Sequence, residues 1–123
     1  MVDPVQVTNR DSGKKYRVVT TDFPPLKFWR TTVWAVGFLG FSKITPVLIL
    51  ASPSEEIAGE THAAVRSVVE QLPPSAWQMP EPMIDFVLQG ANLPNEVQQY
   101  VWEQEMEKMR QHLFSLLRNE TEG

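Results

Sequence analysis

The 123-residue sequence contains no cysteine, which excludes disulfides, thiolate metal sites and cysteine nucleophiles. It contains only two histidines, His62 and His112, and neither has a histidine or glutamate at the spacing of a known metal motif. We expect both to be surface or capping residues. A glycine-rich loop before a lysine and a serine or threonine is also missing. We therefore expect no enzyme, no metal and no cofactor.

Basic charge is scarce as well. Eleven lysine and arginine residues stand against fifteen aspartate and glutamate residues, and the net charge is -4. A chain without a basic surplus has little to neutralise a phosphate backbone, so we expect no nucleic-acid partner. Hydrophobic residues nevertheless make up 42% of the chain, which is enough to drive burial. The length suits one small domain, or a membrane anchor with a modest soluble part.

The charges are distributed unevenly around an apolar run at residues 28–51. Six basic residues outnumber three acidic ones from the first residue to Arg30, whereas twelve acidic residues outnumber four basic ones after Ala51. At the start of the run, Trp29 and Arg30 belong to an aromatic and basic cluster of the kind that settles at lipid headgroups. This order of basic flank, apolar run and acidic flank is typical of a single membrane span.

We therefore predict a transmembrane helix over residues 28–51. As a helix, the 19 residues from Val33 to Ala51 extend about 28 Å, close to the roughly 30 Å thickness of the hydrocarbon core. A central Lys43 costs about 2.5 to 3.5 kcal/mol, so the span is marginal alone. It is most favourable against other helices, because Gly37 and Gly40 permit close approach and the lysine can find a partner.

The remaining segments predict a mainly α fold built on this span. Residues 1–27 are expected to be extended, and 52–72 to form an amphipathic helix that starts from Ser52 as N-cap. Residues 73–94 are expected to form a proline-rich strap with a short helix, and 95–123 a C-terminal amphipathic helix and tail. The fold class is thus one transmembrane helix followed by two or three amphipathic helices.

Two sets of residues are candidates for interfaces with partner subunits. In and beside the span, the predicted packing residues are Trp29, Arg30, Trp34, Gly37, Gly40, Lys43 and Pro46. On the C-terminal helix, a stripe at helical spacing predicts either a core face or a docking face, and its candidate residues are Trp102, Met106, Met109 and Leu113. Two methionines make this stripe adaptable.

A second interpretation is a soluble α+β fold with a buried hairpin at residues 33–50. Its strands would be Val33–Phe41 and Ile44–Leu50, turning at Ser42 and Lys43, because the run is rich in β-branched and aromatic residues. Periodicity alone does not separate the two interpretations. Under this second interpretation the chain is a cytoplasmic interaction or assembly-adaptor module.

The predicted span also resembles a known family. Trp29, Arg30, Gly40, Pro46 and Ile49 can be laid without gaps on the membrane helix of cytochrome c oxidase subunit VIIc, over about 22 residues. The resemblance implies a single-pass accessory subunit of a respiratory-chain electron-transport complex in the mitochondrial inner membrane, with its N-terminus in the matrix. It further implies a structural role in stabilising or assembling that complex, with the other subunits and membrane lipid as partners.

Overall fold

The computed structural model describes residues 3–23, 28–37 and 46–122. It contains a sheet of four antiparallel strands followed by helices. The strands pair in the order β1-β2-β3-β4. Their bounds are β1 Val5–Thr8, β2 Lys15–Phe23, β3 Phe28–Ala35 and β4 Leu48–Ser52. The helices are α1 Glu55–Gln71, α2 Pro74–Trp77, α3 Glu81–Gln89 and α4 Glu96–Glu122, with a 3-10 turn at Gly90–Asn92 between the last two.

The first core lies between one face of the sheet and α1. Because side chains alternate along a strand, Val18, Val33 and Leu50 point to the same side of three neighbouring strands. There they pack with Val65 and Val68 of α1, and all five are at most 1% exposed. The small aliphatic residues of α1 allow this helix to contact every strand of the sheet.

The start of α1 is defined by a hydroxyl cap. The side chain of Ser54 accepts a hydrogen bond from the backbone N–H of Ile57, and two glutamates follow in the first turn, where the helix dipole favours them. The predicted cap, Ser52, is instead the last residue of β4, and its hydroxyl donates to Thr61 of α1. The prediction was off by two residues because both serines precede the same apolar pattern.

The second core lies beyond β4. Ile49 and Ala51 point away from α1 and pack with Ile84 and Val87 of α3 and with Trp102 of α4. Helix α4 also contacts α1, so it lies beside β4 and joins the two cores. All five residues of β4 are therefore buried.

The predicted mainly α fold with a transmembrane helix at 28–51 is wrong. The described part of this stretch forms β3 and β4, and no helix in the described ranges is both long and apolar enough to cross a bilayer. The physical reason is that β4 is buried on both faces, so its sequence reads as a continuous apolar run that periodicity cannot distinguish from a helix. The prediction of a single-pass inner-membrane location depended on that helix and is wrong for the same reason.

The α+β alternative fits the structure. Strands β3 and β4 pair antiparallel, with Val33 opposite Leu48 and Thr31 opposite Leu50. The observed strands are shifted from the predicted ones, since β3 begins at Phe28 and β4 ends at Ser52. The predicted turn at residues 42–43 lies outside the described residues.

Candidate functional site

An open cleft of about 400 Å³ lies between α4 and the segment that connects α1 to α3. This volume is within the range of small-molecule and peptide-anchor sites. We call it the Met-lined cleft, because three methionines from different elements line it. Its residues are Leu48, Leu50, Ala76, Trp77, Gln78, Met79, Pro80, Met83, Glu105, Lys108, Met109, His112, Leu113 and Leu116. Residues 76–80 form one side, the strap wall, and α4 forms the other, the helix wall.

Trp77 anchors the strap wall to the sheet and to the end of α1. Its indole packs edge-on against the ring of Tyr16, with 5.0 Å between ring centroids and an interplanar angle of 82°. Its Nε1–H donates to the carbonyl of Leu72 at 3.1 Å. The same carbonyl accepts from Asn9 Nδ2 at 2.7 Å, and the other N–H of this amide reaches the Val69 carbonyl at 2.6 Å. The buried asparagine thus fixes the end of α1, from which the strap wall departs.

Two further contacts fix the strap wall to the sheet. The backbone N–H of Met79 donates to the carbonyl of Val47 at 2.9 Å, next to the start of β4. Burial raises the pKa of the Tyr16 hydroxyl, and a hydrogen bond with the Gln78 side chain lowers it in part. The strap wall is therefore held at three successive residues, and this side of the cleft is preformed.

The helix wall is anchored by a buried guanidinium. Arg110 is 6% exposed, and its Nη1 donates to the carbonyl of Ala51 at 3.3 Å. Its Nη2 pairs with the carboxylate of Glu107 one turn earlier. Burial lowers the pKa of this guanidinium, and the nearby carboxylate of Glu60 raises it. This arginine ties the middle of α4 to the last strand.

Trp102 anchors the first half of the helix wall. Its ring lies edge-on to Phe28 with centroids 5.3 Å apart, and its Nε1–H donates to the carbonyl of Val87 at 3.2 Å. The indole also lies directly against Gly90, where a Cβ would overlap the ring. The chain turns from α3 into α4 at this close approach.

The polar groups of the Met-lined cleft lie at its rim. Lys108 Nζ pairs with Glu105 Oε1 at 3.2 Å, and both side chains are exposed. His112, one turn further along α4, is exposed as well. Among the described residues that line the cleft, none combines a charge with burial. The interior can therefore accept apolar groups, while the rim offers charges of both signs to a surface that covers it.

His62 lies elsewhere and is buried, at 7% exposure, so the expectation of a surface or capping role is wrong for it. Its Nδ1 lies 2.7 Å from the hydroxyl of Thr20, which is 2.9 Å from that of Thr31. Burial lowers the pKa of this imidazole, and the charge of Arg66 lowers it further. This polar row satisfies groups that are enclosed between α1 and the sheet.

The described ranges contain no group of three or more histidine, aspartate or glutamate side chains placed to hold a metal ion.

The residues predicted to pack in a membrane do not form one surface. Trp29 stands opposite Ser52 on the face toward α1, whereas Arg30 and Trp34 lie on the opposite face of β3. Gly37 follows β3 and is half-buried, and Pro46 is buried before β4. The other two predicted residues, Gly40 and Lys43, lie outside the described residues.

The predicted stripe on the C-terminal helix divides between core and cleft. Trp102 and Met106 are buried in the second core. Leu113 is buried in the first core, and together with Met109 it lines the cleft. Sequence reasoning missed the strap-wall residues and Met83, because nothing in helical periodicity links a proline-rich segment to a distant helix. The one available signal was a tryptophan among four prolines.

No protein-family model, no curated protein and no solved structure matches this chain.

Proposed function

We propose that this chain is a non-catalytic protein-interaction module whose Met-lined cleft accepts apolar side chains from a helical segment of a protein partner. The observation that carries the proposal is the combination of an apolar interior, a preformed strap wall and a mixed-charge rim. This arrangement corresponds to the binding of an amphipathic helix in a groove, where apolar anchors enter and polar residues meet the edge.

The methionines support a peptide partner. Met79, Met83 and Met109 bring flexible thioether side chains from the strap wall, α3 and α4 to one space. Methionine adapts its shape to different apolar surfaces, and it is over-used at binding surfaces of this kind. Because the strap wall is fixed by hydrogen bonds while these side chains can change rotamer, the cleft can take anchors of different shapes without moving its backbone.

The position of the charges favours a protein over a small charged metabolite. Sites for such metabolites place a few polar groups where they fix the orientation of the ligand. Here Glu105, Lys108 and His112 all lie on the exposed edge. They are in position to meet the polar side of a covering helix, and they leave the interior to apolar contacts.

A selection experiment with a matched pair of variants tests the proposal. A phage library of amphipathic helical peptides is selected on the wild-type chain at low concentration, and recovered peptides are measured by fluorescence anisotropy. Met83 lines the cleft and Leu88 does not, yet both lie on α3 with similar exposure, 38% and 41%. We expect Met83→Glu to weaken peptide binding at least 10-fold and Leu88→Glu to leave it unchanged.

Circular dichroism of both variants establishes that they remain folded. Failure to recover any peptide, or peptides that bind the two variants equally well, would contradict the proposed function.

A further inference from the structure

We infer that the helix entering the Met-lined cleft is α4 of a second copy of this chain, in an antiparallel, two-fold symmetric dimer. This inference rests on the proposed function of the cleft and names its partner. It begins from the exposed apolar residues at the start of α4. Val97 is 73% exposed and Val101 is 50% exposed, one helical turn apart.

The exposed valines and the cleft share one side of α4. The residues Val97, Val101, Glu105, Lys108, His112 and Leu116 follow one another at intervals of three or four, and the last four line the cleft. Residues at these intervals lie on the same face of a helix. The face is about 28 Å long at 1.5 Å per residue. Its first half is an exposed ridge, and its second half borders a cavity.

This face is complementary to itself when reversed. A two-fold axis that passes α4 between Met106 and Glu107 places Val97 opposite Leu116 of the second copy. The same axis places Val101 opposite His112, at the edge of the cleft of the other copy. The exposed ridge of each chain then enters the cleft of the other, and both clefts are filled in the same step.

Charge complementarity selects the antiparallel direction. In this register, Glu105 lies opposite Lys108 of the second copy, and the axis generates the same pair a second time. The two residues already form an exposed intrachain pair, so their charges are at the surface that would meet the partner. A parallel arrangement in the same register would put Glu105 opposite Glu105 and Lys108 opposite Lys108, which is unfavourable.

Sedimentation velocity of the full chain over a range of concentrations tests the inference. We expect a reversible dimer in the wild type. Because each chain supplies both charges, Glu105→Lys alone or Lys108→Glu alone creates two like-charged contacts per dimer and should weaken association at least 10-fold. The double variant E105K/K108E reverses both pairs and should restore it. Val101→Asp should abolish the dimer, whereas Leu88→Asp, on an exposed residue of α3, should not.

The outcomes separate the inference from the proposed function. A wild-type chain that is monomeric at every concentration overturns the inference, and so does a double charge variant that stays as weak as the single ones. If such a monomer still binds the selected peptides and loses them on Met83→Glu, the cleft retains its proposed function with a different protein as partner. A dimer that survives Val101→Asp also overturns the inference, because it forms through another surface.

Discussion

Each of the two walls of the Met-lined cleft contains a buried tryptophan, and the two tryptophans are held in place in different ways. Each wall depends on a buried tryptophan that lies edge-on to an aromatic ring of the sheet and donates its Nε1–H to a backbone carbonyl. Trp77 in the strap wall is held through a buried amide, because Asn9 and the indole share one carbonyl. Trp102 in the helix wall is held by close packing, because Gly90 has no side chain and leaves room for the indole ring.

This difference indicates which kind of substitution should destabilise each wall most. The strap wall contains only the end of the short helix α2 and is held in place partly by side-chain donors, so its stability should be most sensitive to the loss of a polar group. A long helix satisfies its own backbone and should be more sensitive to a change of volume at its packing contact.

The largest effect is expected from Asn9→Ala. This asparagine is fully buried, its N–H groups reach two carbonyls at the end of α1, and its Oδ1 accepts from the backbone N–H groups of Asp11 and Ser12. Removing it leaves buried polar groups unpaired, so the free energy of unfolding should fall by about 3 kcal/mol in urea denaturation.

Asn95→Ala is the control, since its side chain accepts from the N–H of Gln98 at the exposed start of α4. It should cost about 1 kcal/mol. Equal losses for the two would refute the role assigned to Asn9.

Gly90→Ala should have the next largest effect. The added methyl overlaps the indole of Trp102, so the ring or the turn must shift, at a cost of about 2 kcal/mol. Gly59→Ala is the matched control in α1, where a Cβ meets nothing within 4 Å. There the same change should stabilise the chain by about 0.5 to 1 kcal/mol, because glycine disfavours a helix interior. Thermal unfolding of both variants measures the contrast, and a neutral Gly90→Ala would show that the close approach does not constrain α4.

Replacing each tryptophan by phenylalanine compares the walls directly. Trp77→Phe and Trp102→Phe each remove one buried hydrogen bond, and each should lower the free energy of unfolding by about 1 kcal/mol. Only Trp77 lines the cleft. The affinity for a selected peptide should therefore change with Trp77→Phe and stay constant with Trp102→Phe. An equal change in both would mean that the two walls do not act independently.

The smallest effect is expected from pH, and it should not distinguish the walls. Burial lowers the pKa of His62 below its usual value of 6.5, so the unfolded chain takes up this proton at a higher pH than the folded one. Its contribution to stability is complete above pH 6.5 and declines as the pH falls toward the lowered pKa. Urea denaturation between pH 7.5 and 5.5 should show this decline in the wild type, and His62→Gln should flatten it. A decline of the same size in His62→Gln would contradict the role assigned to this histidine.

The sequence alone excluded disulfides and indicated the segments that form α1 and α4, whereas the helix it predicted at 28–51 is wrong. The absence of cysteine excludes disulfides, a serine cap precedes α1, and the apolar stripe of α4 includes residues of both cores. These features are local, because composition, capping and helical periodicity depend on neighbours within a few residues. The β-branched residues of the apolar run favour the α+β alternative, whereas the charges on either side of the run favour a membrane span.

Only the tertiary structure decided between strand and span, and which methionines line a cleft. Strand β4 reads as a continuous apolar run because α1 covers one of its faces and α3 the other, which is a property of packing and not of the segment itself. In the same way, Met106 is core while Met79 and Met109 line the cleft, because the strap wall that Trp77 and Asn9 hold in place lies on the other side of the cleft from α4. Contacts between residues 60 positions apart, such as Asn9 with Val69, leave no periodic trace in a single sequence.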